Sequence, residues 1–293
     1  MTALRVVLGT LFAACVLQSP APSLQDLKNA TYSGFKDVPS PVTLTDGRWE
    51  SASARQSITF VGELRATGDL NSDGVGDAVV LLSENTGGSG ERVYLAVVTT
   101  SNGQLQNVAT RVLGPNVRIR RLRIVEHTVV VDAVQVGVDD TMCCPSDLVT
   151  RTFVLKDTTL EEPEPATHTG RLTAAAVGQT EWVLRRWTST EPAPAEPRVT
   201  LRYHDGQIDG STGCNRYLAP VSGGDQPGTV TIGPPASTKM ACSDAAMAVE
   251  ARFLRLLHGV ASFTFVAGQL ALTYQVDGQF STMFFDAAMG GGR

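Results

Sequence analysis

The stretch Asp69-Leu70-Asn71-Ser72-Asp73-Gly74-Val75-Gly76-Asp77 concentrates oxygen-bearing side chains around a glycine turn. A hard cation such as Ca2+ gathers about six to eight oxygen ligands, and alternate positions of a turn can aim their oxygens inward together. Asp69, Asn71, Asp73, the Val75 carbonyl and Asp77 are therefore candidate ligands of a structural Ca2+. The same side chains fit a second reading, a β turn in which Asp and Asn accept hydrogen bonds from their own backbone with no ion present. An ion here would brace a loop rather than drive a reaction.

The five cysteines form the next set. Cys15 follows the small residues Ala13-Ala14 at the end of the apolar run Val6 to Ala14, with Arg5 ahead of it. Such a run is too short to span a bilayer and fits an export signal over residues 1–14, and a cysteine behind small residues fits the acylated residue of a bacterial lipoprotein. Phe12 departs from this pattern, standing where such signals carry Leu. The expected location is then the periplasmic side of a membrane, the outer membrane by preference, with residues 15–23 as a tether and the lipid on Cys15 as the membrane contact. With Cys15 acylated, four cysteines remain. Pairing within domains joins Cys214 to Cys242, about 28 residues apart, and Cys143 to its neighbour Cys144. The first bridge closes a loop worth roughly 3–4 kcal/mol. The second requires an unfavourable ring across one peptide bond, so a reduced pair or a cross-domain bridge stands beside it as an alternative.

Other chemistries find less support. Gly88-Ser89-Gly90 lacks the strand, elbow and helix of a serine hydrolase and reads as a hairpin tip. His127, His168, His204 and His258 are scattered without metal-ligand spacing, and Cys143-Cys144 is not the Cys-x-x-Cys of a thiol oxidoreductase. No enzyme is expected. The net charge of −5 argues against a nucleic-acid footprint. Arg118, Arg120, Arg121 and Arg123 alternate as a strand with one solvated basic face.

These groups must be positioned mainly by strands. The length of 293 residues suits about two domains. From 24 to 156 the chain reads as an antiparallel β sandwich or meander, with strands at Ser57 to Leu64, Ala78 to Leu82, Arg92 to Thr99, Val117 to Val125, Thr128 to Val136 and Thr150 to Leu155. The Pro- and Glu-rich segment 157–170 reads as a linker and 171–293 as a second, α+β domain. There Ser243 caps a helix whose Val249, Phe253, Leu256 and Leu257 share one face, and Gly259 ends it. The apolar alternation flanking Asp69 to Asp77 places that loop between strands, and Val80 stands where an EF-hand has its closing Glu. In this the loop resembles the calcium loops of dockerins and FG-GAP repeat proteins.

Three motifs occur in order in the second half: Trp182-Val183-Leu184-Arg185-Arg186-Trp187, Gly213-Cys214-Asn215-Arg216-Tyr217 and Thr238-Lys239-Met240-Ala241-Cys242. Together they resemble the META domain, also called the heat-shock protein HslJ-like domain. The resemblance implies a half-open β barrel with one helix, a bacterial envelope setting, and a link to stress and antibiotic tolerance with no attached reaction. Two roles follow as expectations: a non-catalytic envelope lipoprotein, or an inhibitor or binding module directed at an envelope protein such as a cell-wall hydrolase. The partner is an envelope protein or a small ligand. Arg216 and Lys239 flank the expected bridge and are the candidate cationic contacts for an acidic partner.

Overall fold

Ala78 to Leu82 and Tyr94 to Val98 are unbroken apolar runs, and a strand with such a run needs cover on both faces. The computed structural model, which describes residues 21–52, 55–87 and 91–288, supplies it. The expected export signal, Cys15 and Gly88-Ser89-Gly90 lie outside the described residues. The described chain begins with helix α1 (Leu24–Lys28) and a ribbon of β1 (Thr31–Tyr32) with β2 (Val42–Thr43). A meander follows, β3 (Arg48–Glu50), β4 (Ser57–Gly68), β5 (Asp77–Asn85), β6 (Glu91–Ser101) and β7 (Gln104–Pro115). On one face of this sheet, Ala78, Val80, Leu82, Ala96 and Val98 pack under Leu27, Tyr32, Phe35 and Leu44 from the opening segment. On the other, Val79, Leu81, Leu95 and Val97 meet Val129, Val131 and Phe153 of a second sheet.

That second sheet holds β8 (Arg118–Val125), β9 (Thr128–Gln135) and β10 (Asp147–Lys156) in sequence order, with β11 (Thr159–Glu161) and β12 (Thr167–Arg171) both pairing with β10. The two sheets make the expected sandwich, and the opening segment adds a third layer. The stretch 157–170 is a correction to the sequence reading, because it is built into the sheet rather than free as a linker. Its Leu160 is buried, and its Glu162 accepts a two-pronged contact from Arg151 at 2.8 and 2.9 Å. One apolar anchor and one carboxylate shared by Arg151 and Arg111 do not register in a composition count, yet they help fix the segment.

After a 3-10 turn at Ala174–Val177 comes the second sheet system: β13 (Trp182–Arg186), β14 (Thr200–His204), β15 (Gln207–Ser211), β16 (Arg216–Gly223), β17 (Val230–Ile232), β18 (Ala236–Ser237), helix α2 (Asp244–His258), β19 (Val260–Val266), β20 (Gln269–Val276) and β21 (Gln279–Ala287). The spatial order β17-β16-β15-β14-β13-β21-β20-β19 curls into a nearly closed barrel, with β18 on β16. A Thr229 to Ser262 bridge and the Phe263 N–H donating to the Gly228 carbonyl at 2.8 Å draw its two edges together. Helix α2 begins at Ser243, whose hydroxyl accepts the Ala246 N–H, and ends at Gly259. Phe253 and Leu257 are fully buried, and Phe253 meets the Tyr217 ring edge-on at 5.3 Å.

The sandwich and barrel touch directly. Val134 and Leu148 of the sandwich belong to the same apolar cluster as Leu172 and the barrel core. The arginine stripe also needs correcting. Arg118 donates to the Thr264 hydroxyl at 2.6 Å, while Arg120 donates to the Ala176 carbonyl at 2.7 Å and lies 4.8 Å over the Phe265 ring. Alternation identifies a face of a strand but not what covers it, and here the barrel covers it.

Candidate functional site

The Gly-Cys-Asn motif forms the turn between β15 and β16. Cys214 and Cys242 form a disulfide with Cα atoms 6.0 Å apart, so the stretch leading into the helix is tied to the sheet. Beside the bridge, Asn215 is buried, and each of its polar groups has a partner. Its amide nitrogen donates to both Glu250 carboxylate oxygens, at 3.2 and 3.0 Å, and its amide oxygen accepts from the Thr238 hydroxyl at 2.7 Å and the Met240 N–H at 2.8 Å. Thr212 completes the cluster, donating to Glu250 at 2.5 Å. A buried carboxylate is costly unless several donors hold it, and this one has Thr212 and Asn215. Sequence reasoning found Asn215 but missed Glu250. The signal was a charged residue three before Phe253 and seven before Leu257, on the apolar side of α2.

On the barrel's outer face a groove of about 380 Å3 is lined by residues of β14, β15 and β16 together with Glu181 and Arg198. Arg216 sits there, whereas the exposed Lys239 is not among the lining residues. Thr238, the neighbour of Lys239, donates its backbone N–H to the Arg216 carbonyl at 3.1 Å. Inside the barrel, Leu201, Ile208, Phe263 and Leu272 help enclose a space of only about 20 Å3. That is room for about one water molecule. Trp182 and Trp187 are both buried as core aromatics, Trp182 donating its indole N–H to the Val177 carbonyl at 3.2 Å.

Residues 175–287 match the family model of the META domain. Among solved structures, an NMR structure of a protein from Burkholderia xenovorans is 21% identical, with a TM-score of 0.32; the match covers 44% of this chain and 99% of that one. No curated protein matches the chain. The META match begins within the 3-10 turn and ends in β21, so it takes in the disulfide, the Asn215 cluster and the groove.

Outside the META domain, the Asp69 to Asp77 loop joins β4 to β5, as its alternation requires. Asp69 accepts the Ser72 N–H at 2.7 Å and the Gly74 N–H at 3.1 Å, Asp73 accepts the Val75 N–H at 2.7 Å, and Asp77 accepts the Leu70 N–H at 2.8 Å. Asn71 accepts the Asp73 N–H at 3.0 Å. These are the bonds of the self-capped turn. Among the described residues no group of three or more His, Cys, Asp or Glu side chains is placed to hold a metal ion. One atom stands apart: Asp77 is fully buried and its Oδ1 has no hydrogen-bond partner. Burial pushes the Asp77 carboxyl above the usual range against the Leu70 N–H, with the charges of Asp73 and Asp69 adding to the rise.

The expected Cys143–Cys144 bridge is not formed, since both are free, exposed thiols. The cross-domain alternative also falls, because Cys214 and Cys242 pair with each other. Closing a ring over one peptide bond would force that bond out of its preferred geometry. The loop instead places the Thr141 hydroxyl 3.1 Å from the Cys143 sulfur and bonds the Cys144 N–H to the Thr141 carbonyl at 2.9 Å. Hydrogen bonds from Cys144 and Thr141 lower the Cys143 thiol pKa, and the bond given to Cys143 raises that of Cys144. His127 lies beside the aspartate loop, its Nδ1 2.7 Å from the Asp69 carbonyl, and His168 and His204 contact Asp147 and Asp209.

Proposed function

We propose that this chain is a bacterial cell-envelope lipoprotein in which an HslJ-like META domain acts by binding or bracing rather than by catalysis, in envelope stress or antibiotic tolerance. The observation that carries this reading is the state of the META motif residues. Cys214, Cys242, Asn215, Thr212 and Glu250 satisfy one another, so the motif holds α2 to the barrel and leaves no reactive group of its own on offer. A barrel with about 20 Å3 of interior space speaks for contact through its outer surface rather than for carriage of a lipid or other small ligand inside. No helix among the described residues is long and apolar enough to cross a membrane, and the proposed anchor is the lipid on Cys15.

The anchor is tested by fractionation: Cys15→Ser should release the protein to the soluble periplasm, and unchanged membrane attachment would refute it. The binding role is tested with photocrosslinkers in intact envelopes, placed at exposed Leu218 and Phe280 of the META domain and at Val125 of the sandwich. A specific adduct formed through the META positions is expected, and adducts confined to Val125 would move recognition to the sandwich. If the adduct is a wall hydrolase slowed by this protein, the inhibitor reading takes precedence.

The aspartate loop is proposed to hold a structural Ca2+. Support comes from Asp77 Oδ1, a buried carboxylate oxygen lacking a donor; to join it around a cation, the oxygens of Asp69, Asn71 and Asp73 would have to turn from the backbone N–H groups they accept in the ion-free turn, with the Val75 carbonyl as a further ligand. The ion would supply charge neutralisation and bracing only.

A further inference from the structure

We infer that the groove on the outer face of the META barrel is a carboxylate-binding site, with Arg216 as its primary contact and a small organic acid as its ligand. This rests on the reading of the META domain as a non-catalytic binding module and names the chemistry it would bind. The strand period of two places the groups. Arg202 of β14 is in register with Asp209 of β15, and Ser211 of β15 with Arg216 of β16. Leu201, Ile208 and Tyr217, on intervening positions, point into the core.

The groove already shows what its guanidinium groups donate to. Arg198 and Arg202 each donate to one carboxylate, that of Glu181, at 2.8 and 3.2 Å. Each contact uses one N–H of a five-donor fork, so most of both forks remains available. Arg216 has no carboxylate partner among the described residues. The hydroxyls beside it are held as acceptors and keep their own hydrogens to donate: Thr200 accepts the Ser211 N–H at 3.0 Å and Ser211 accepts the Gly213 N–H at 3.0 Å. Asp209 faces His204 at 3.0 Å. Three arginines against Glu181 and Asp209 leave the lining one positive charge in excess, which matches a single carboxylate better than a phosphate dianion. A volume of about 380 Å3 suits a small molecule. Its solvent-exposed charges make the interaction weak and sensitive to salt.

The test is titration of the purified full chain with butyrate, a monocarboxylate, at low ionic strength, read by arginine Nε–H resonances. Saturable binding is expected. Arg216→Gln should weaken it about fivefold or more, and Glu181→Gln should strengthen it roughly two- to fivefold by freeing Arg198 and Arg202. Arg185→Gln serves as the control, because Arg185 is exposed and pairs with Asp286 away from the groove. Absence of saturable binding in the wild-type protein would overturn the site, as would equal losses in Arg216→Gln and Arg185→Gln. Tighter binding of inorganic phosphate than of butyrate would overturn the carboxylate assignment. None of these results depends on a protein partner, so failure here and failure of the envelope crosslinking remain distinguishable.

Discussion

Asn215 stands between an incoming loop and a helix, its amide oxygen accepting from Thr238 and Met240 of the loop and its amide nitrogen donating to Glu250 of the helix. Asn215→Ala would remove the side-chain amide that donates to both oxygens of the buried Glu250 carboxylate, and a loss of roughly 2–3 kcal/mol is expected in denaturant melts. Glu250→Gln keeps the shape and removes the charge, so it should cost less than Asn215→Ala; the reverse order would show that the cluster is not organised around the carboxylate. Asp77 allows a test of the opposite sign. Because folding raises its pKa, the folded state binds the proton more tightly than the unfolded state. Its contribution is therefore fully present below the ordinary Asp pKa and is lost as pH rises through the elevated folded value. In chelator, wild-type stability relative to Asp77→Asn should fall over that window. Added Ca2+ should restore it at neutral pH if the ion binds. A flat response to both Ca2+ and chelator would leave the plain turn.

At the scale of elements, the disulfide and the barrel strands share the work of fixing α2. The helix is amphipathic and correctly capped, but an isolated helix of 15 residues is marginal in water. Replacing Cys214 and Cys242 together by Ser should lower stability by roughly 3–4 kcal/mol. Free thiols at both positions in non-reducing digests would remove the premise. The helix and this bridge were legible because cap residues, apolar period and cysteine spacing are local signals. Strand β7 is not among the strands read from the sequence, although Asn102-Gly103 ahead of it and Gly114-Pro115-Asn116 at its end are turn signals. Its residues are mostly half-exposed and do not alternate cleanly, since two register shifts interrupt its pairing with β6.

For the whole molecule, the contact between sandwich and barrel gives the arginine stripe its meaning. Burial lowers the Arg120 pKa, and the guanidinium is held by a carbonyl and an aromatic face rather than by a carboxylate. Arg120→Ala should cost about 1–2 kcal/mol and raise amide exchange in β8 and β19 together. Exchange that rises in β8 alone would mean the barrel does not lean on this residue. The segment 157–170 belongs to the same argument, because its Leu160 and Glu162 close the sandwich edge on the way to the barrel.

Residue order alone determined the β class, the capped helix and the aspartate turn, because each depends on neighbours within one loop or one period of structure; it offered the Cys214–Cys242 pairing, which the fold then settled. Tertiary structure decided which strand faces are covered, that Cys143 and Cys144 stay unbridged, that Glu250 answers Asn215, and that Arg216 shares a groove with Arg198 and Arg202 while Lys239 does not. Those outcomes depend on what a side chain meets across a sheet or between two sheets. That distance is short in space but long in sequence, and local pattern carries no information about it.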